Sequence, residues 1–156
     1  MFTLKFRLTR DRVIIAACVL ITAIALLWHS LSLGGVSPRG DSREARVTFL
    51  NSLGYSVLSK SETHKTITLP FEFDHVYDSY NQLQKTADFD LSSFRGCEAD
   101  MYTYNLTEFE TLKEASVSLI VYRNKIIGGD VSSLEKGGVC MPLISAESNL
   151  KRLKDK

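Results

Sequence analysis

Apolar and polar positions divide the chain into one long apolar stretch and a tail of short, alternating patterns. Val13 to Leu33, VIIAACVLITAIALLWHSLSL, carries no formal charge and is densely apolar as far as Trp28. As a helix rising about 1.5 Å per residue it would reach roughly 31 Å, which matches a bilayer hydrocarbon core of about 30 Å. The stretch predicts a transmembrane helix. A cleaved signal peptide needs a shorter apolar run followed by small residues, and here Leu26, Leu27 and Trp28 continue past Ala23-Ile24-Ala25. The segment therefore reads as retained. Ala16-Ala17-Cys18 fits a short lipoprotein pattern, but too few apolar residues precede Cys18 for that context.

The tail begins with Gly34 to Asp41, whose three Gly and one Pro predict a flexible tether. Ser42 is a good N-cap, and Ala45, Phe49, Leu50 and Leu53 recur at helical spacing before Gly54, placed as a stop. Tyr55 to Leu58 and Lys65 to Leu69 read as strands. Phe73, Val76, Tyr77, Tyr80 and Leu83 fall on one face of a helix running to Lys85, with Asp74 and Asp78 in its first half. Glu98 to Leu106 alternates as a strand should. Val117 to Tyr122 and Lys125 to Val131 are strands joined through Arg123-Asn124, a tight hairpin because Asn tolerates a left-handed backbone. Gly128-Gly129 marks a bulge or a close backbone approach. Val139 to Ile144 is a final short strand, and residues 146–156 are a basic tail that could form a frayed helix.

Charge orients the anchor. Lys5, Arg7, Arg10 and Arg12 stand before the span against Asp11 alone, and the tail from Val36 holds 15 Lys and Arg against 17 Asp and Glu. The positive-inside rule then places Met1 to Arg12 in the cytoplasm and the tail outside the cell membrane. A slightly acidic tail also lacks the clustered basic surface that nucleic acid requires. Cys97 and Cys140 are the tail's two cysteines. Facing an oxidising exterior they could pair, and closing that loop would stabilise by roughly 3 to 4 kcal/mol. The other reading is two buried or idle thiols.

A resemblance rests on TITLP-FEF-D-HVYDSYNQLQ, FDLSSFRG, YTYNL and SLIVYRNKIIGGDVSS, which together cover Thr66 to Ser133. The combination of YxxYNxLQ, FDLxxxRG and IGGD is similar to a Gram-positive bacterial family known as domain of unknown function 4830. The resemblance implies a bacterial, membrane-anchored extracytoplasmic domain and brings neither an assigned activity nor catalytic residues.

Candidate chemistry is sparse. Asp130 follows two glycines, Gly128 and Gly129, that permit a ligand to approach the backbone, and its carboxylate could take a cation or a polar partner. It could equally bond nearby backbone at a bulged strand end. Arg95 is suited to a carboxylate, whether an acidic ligand or Asp90 or Asp130. Tyr102 and Tyr104, with Tyr77, Tyr80, Tyr122 and Phe73, either line a groove or fill the core. His75 with Glu72 and Asp78 is poor zinc spacing, with no second His at i+4. No nucleophile elbow, phosphate loop or dinucleotide fingerprint is present, and no cofactor or metal is expected.

The expected architecture is α+β: one N-terminal transmembrane helix, then an extracytoplasmic domain over residues 42–145 with an antiparallel sheet of four or five strands packed against one or two helices. The expected function is a non-enzymatic binding or interaction module. Its partners are the lipid bilayer, through Val13 to Leu33, and a protein or another component of the cell envelope. The alternative is an extracytoplasmic enzyme, such as a metal-dependent hydrolase using Asp130, Asp90 and Asp100 with His75.

Overall fold

The computed structural model describes residues 37–107, 109, 114–133 and 138–155. The span Val13 to Leu33, the flank Met1 to Arg12 and the first three tether residues lie outside them. Among the described residues no helix is long and apolar enough to cross a membrane. They form an α+β domain with a five-stranded antiparallel sheet and three helices.

Helix α1 (Arg43–Ser52) starts where Ser42 accepts from Ala45 N and stops before Gly54, whose φ of +85° ends it. Strand β1 (Thr63–Thr68) follows a turn of 3-10 helix at Ser59–Ser61. Tyr55 to Leu58 forms no regular strand: it contributes one isolated bridge, Val57 to Leu106. Tyr55 turns inward instead, with its hydroxyl donating to Ile144 O and accepting from Asn149 Nδ2.

Helix α2 (His75–Lys85) is capped by Asp74, which accepts from Val76 N and Tyr77 N and so stands before the helix. A second 3-10 turn, Leu91–Phe94, leads to β2 (Glu98–Asn105). Then come β3 (Ala115–Tyr122) and β4 (Lys125–Ser133), joined by Arg123 and Asn124 at φ +48° and +66°, the left-handed pair that a two-residue hairpin uses. Strand β5 (Cys140–Pro142) completes the sheet in the order β1-β2-β3-β4-β5, all antiparallel.

Side chains alternate across a strand, so the register assigns each residue to a face. Tyr102, Tyr104, Val117, Leu119, Val131 and Met141 share the face that packs on Leu50 of α1 and on Ala146. Ala99, Met101 and Ile120 share the opposite face, with Leu91 and Tyr80 of α2. The C-terminal residues, read as a tail, form α3 (Ala146–Lys154), capped by Ser145 and docked on the first face through Ala146, Leu150 and Leu153. Apolar residues at positions 146, 150 and 153 give it a helical stripe that its Lys and Arg obscure in composition.

Two further readings meet the structure differently. The tether is docked over its second half: Ile126 N donates to Pro38 O at 2.8 Å and Gly40 N to Asn124 O at 2.9 Å, with Gly40 buried. A Cβ at Gly40 would stand 2.8 Å from Val121 Cγ2, so glycine here serves close packing as well as freedom. Cys97 and Cys140 are free thiols. Cys97 precedes β2 and Cys140 opens β5, three strand spacings apart at about 4.8 Å each, beyond the Cα separation of about 7 Å that a disulfide tolerates.

Candidate functional site

The candidate residues divide between the two faces of the sheet. Asp130 lies on the α2 face. It is buried, paired across to Ser118, and accepts a 2.7 Å hydrogen bond from the Tyr80 hydroxyl. Burial raises its pKa, although hydrogen bonds from Tyr80, Cys140 and Ser132 hold part of the charge. The same burial, together with the facing carboxylate, drives the Tyr80 phenol upward and pushes the Cys140 thiol up to about 11. Around Asp130 the sheet face is hydroxyl-rich: Thr103 bonds Ser118 at 2.9 Å, and Ser116 faces Ser132 at 3.4 Å.

The two glycines serve the packing on either side of that carboxylate. Gly129 N donates to Gln84 Oε1 at 2.8 Å, and a Cβ at Gly128 would stand 2.9 Å from that same oxygen. A Cβ at Gly129 would stand 2.5 Å from Ser118 O. Of the two readings of this pair, close approach describes it, since α2 packs on its backbone, while the bulge lies just before it at Ile127, where the register shifts between Val121 to Ile126 and Ile120 to Gly128.

Tyr102 and Tyr104 lie on the opposite face and meet at Arg46. That guanidinium, buried in α1, sits 3.6 Å from the Tyr102 ring centroid, donates to Tyr104 Oη at 2.9 Å and to Gly40 O at 2.7 Å, and pairs with Glu62 at 3.0 Å. The Tyr104 hydroxyl donates to Glu62. Burial opposes ionisation of Glu62, but hydrogen bonds from Tyr104, Arg46 and Arg43 outweigh it and hold the carboxyl below its ordinary pKa. Tyr104, by burial and by its bond to Glu62, is pushed up to about 12. Tyr104 is core and Tyr102 is half-buried against it, and the buried Arg46–Glu62 pair ties both to α1.

Arg95 joins neither cluster. Its guanidinium lies over the Phe73 ring at 4.6 Å. Asp90 instead accepts from Asn81 Nδ2 and Ser92 N, each at 2.9 Å, which with Lys85 draws its pKa down to about 2. The acids of the hydrolase reading do not converge: Asp100 pairs with His64 at 2.8 Å on the Tyr102 face, Asp130 is on the other, and His75 opens α2. Among the described residues no three His, Cys, Asp or Glu side chains gather as metal ligands.

Of the aromatic residues read as groove or core, Tyr77 and Tyr80 line an apolar groove. Helix α2 turns Asn81 and Gln84 inward, where Asn81 accepts from Leu91 N and Gln84 from Gly129 N, and leaves Val76 58% and Tyr77 36% exposed. These two, with Tyr80 and with Ile67, Leu69, Met101 and Ile120 of the sheet side, line a groove of about 330 Å³. Backbone groups bared by the two glycines and by the turn before Leu91 recruit the amides, which leaves Val76 and Tyr77 of the apolar stripe exposed while Phe73 and Tyr80 stay packed against the sheet.

A family model, described as Domain of unknown function (DUF4830), matches residues 49–131, from within α1 to Val131 of β4. The match takes in α2, the groove and Asp130. No curated protein and no solved structure matches the chain.

Proposed function

We propose, for a chain that belongs to the DUF4830 family, a single-pass membrane protein whose folded domain stands outside the cell membrane and binds an extended segment of a partner protein. Anchoring is supported by the uncharged stretch Val13 to Leu33 behind a basic flank. Binding is supported by one observation above the others: the groove beside β1, lined by Ile67, Leu69, Val76 and Tyr77 and open to solvent.

Strand β1 favours an extended occupant. It is an edge strand, and among the described residues it pairs with β2 alone. Its outer backbone groups would hydrogen-bond an added strand, while alternate side chains of that strand would enter the groove. Lys65 at the centre of β1 disfavours indiscriminate edge pairing. An acidic residue in the incoming segment would complement it.

The test places a photo-crosslinking residue at Tyr77 or Thr66 of the full chain in native membranes. A defined polypeptide crosslinked through one extended segment is expected, and that segment, added as a peptide, should slow amide exchange across Thr63–Thr68. Lipid adducts alone, or hydrolytic turnover by the purified chain without any polypeptide adduct, would overturn the reading. Topology has a separate check: a reporter fused after Lys156 should be active outside the membrane, and activity in the cytoplasm alone would reverse the orientation.

A further inference from the structure

We propose that the segment received at β1 runs antiparallel to it and carries the order apolar, polar, apolar, polar, acidic, with the acid beside Lys65. The inference rests on the reading of the groove as the seat of an extended polypeptide. It deepens that reading by fixing the direction of the segment and the chemistry of each position.

Backbone direction along β1 follows from one hydrogen bond. Leu69 N donates to Cys97 O at 3.0 Å, so the backbone of Leu69 faces β2. Alternation gives Ile67, Lys65 and Thr63 the same direction and turns the N–H and C=O groups of His64, Thr66 and Thr68 outward. An antiparallel segment can exchange two hydrogen bonds with each of those outward residues. Its residues opposite Lys65 and Ile67 then take the non-hydrogen-bonded positions, where Cα atoms stand about 4.5 Å apart and side chains meet most closely. A parallel segment offers slanted bonds and is slightly less stable per residue.

Side-chain chemistry on the groove face supplies the order. Ile67 pairs with Ala99 and Lys65 with Met101, which places both on the α2 face. Ile67 and Leu69 line the groove with Val76 and Tyr77, so the segment residues opposite them are apolar. Lys65 is exposed, and its neighbours on the same face are Thr63, Ile67, Ala99, Met101 and Thr103, none of them charged. Among the described residues it makes no ion pair. A carboxylate opposite Lys65 therefore supplies the charge that this edge lacks, and opposite charges across a strand pair are stabilising. The other face of β1 differs. His64 is already held by Asp100 at 2.8 Å, and Thr66 and Thr68 are exposed hydroxyls, so the intervening residues of the segment meet polar groups.

Two labelled peptides of one composition test the order: acetyl-Thr-Val-Thr-Val-Thr-Glu-Thr-amide and the same residues reversed, each titrated by fluorescence anisotropy into the full chain in detergent. The first should bind about fivefold more tightly than the reverse. It should also slow amide exchange at Thr66 and Thr68 more than at Lys65 and Ile67, which β2 already holds. Lys65→Glu, in protein that unfolds at the parent's midpoint, should weaken that peptide by about fivefold to tenfold, and replacing its Glu by Lys should restore binding to the variant. Equal binding of the two orders, or tighter binding of the reverse, would overturn the direction. An affinity that Lys65→Glu leaves unchanged would overturn the acidic position, and no binding of either peptide up to about 1 mM would overturn the whole order. Failure of the groove reading itself looks different: Tyr77 would then crosslink no polypeptide in native membranes.

Discussion

Replacing Arg46 with Met tests whether the buried ion pair holds α1 to the sheet. Arg46 is 4% exposed and serves three acceptors at once, the Gly40 carbonyl, the Tyr104 hydroxyl and the Glu62 carboxylate. Met fills nearly the same length but donates to none of them, so the loss is electrostatic with little cavity. Breaking one side of a buried pair costs about 3 to 5 kcal/mol, because the remaining charge stays desolvated. Arg43, 3.1 Å from Glu62 but half exposed, recovers only a small part of this. With a urea m-value of about 1.5 kcal/mol/M, the midpoint should fall by about 2 to 3 M. Glu62→Gln in the same background supplies the decisive comparison. The double variant leaves no unpaired carboxylate, so its loss should be smaller than the sum of the two single losses by about 1 to 3 kcal/mol. Urea unfolding of the four proteins, followed by circular dichroism, measures the cycle. A loss below about 1 kcal/mol for Arg46→Met, or losses that add within about 0.5 kcal/mol, would refute the network as a coupled unit.

Further outcomes follow from β4 and β5. Gly129→Ala should cost about 2 to 3 kcal/mol, and more than Gly128→Ala, because the added methyl meets the Ser118 carbonyl at 2.5 Å in one case and the ends of the Gln84 and Leu91 side chains in the other; thermal midpoints rank the pair, and the reverse order would contradict the packing. Asp130 has a raised native pKa, so its stabilising contribution is complete below the unfolded value of about 3.8 and is lost as pH rises through the native value. The stability of Asp130→Asn relative to wild type should therefore improve between pH 3.5 and 7, and a difference that stays constant across that range would show that the carboxylate does not titrate from a raised value. Cys140, pushed up to about 11 by burial and by Asp130, should alkylate more slowly at pH 8 than an unstructured thiol, and faster in Asp130→Asn; mass spectrometry under non-reducing conditions should also find Cys97 and Cys140 unpaired.

Most elements were legible because their causes are local. The Ser42 cap, the Gly54 stop and the Arg123-Asn124 turn each depend on one or two residues acting within a few positions of themselves. The alternation in β2 and the β-branched, apolar runs of β3 and β4 likewise announce strands wherever they come to lie. Period alone misjudged Tyr55 to Leu58, whose aromatic residue was wanted in the core, and α3, whose charges hid a stripe of three apolar positions. Arg46 did leave a signal: it stands three and four residues before Phe49 and Leu50, on the apolar stripe of α1, where an arginine needs buried partners.

The grouping of functional residues belongs to the tertiary structure. Asp130 and the pair Tyr102 and Tyr104 all lie in strands, and their separation onto opposite faces follows from register, which is a relation between strands and not a property of either. The setting of α2 is similar. Its spacing identified a helix with an apolar face, yet Gly128-Gly129 and the turn at Leu91 presented backbone that Gln84 and Asn81 could satisfy, and Val76 and Tyr77 of the apolar face were left exposed beside the edge strand. Sequence by itself thus determined the elements, their caps and turns, and the apolar stretch that precedes them. Which faces became core and which became groove was decided in three dimensions, because buried backbone groups must find partners wherever the fold brings them.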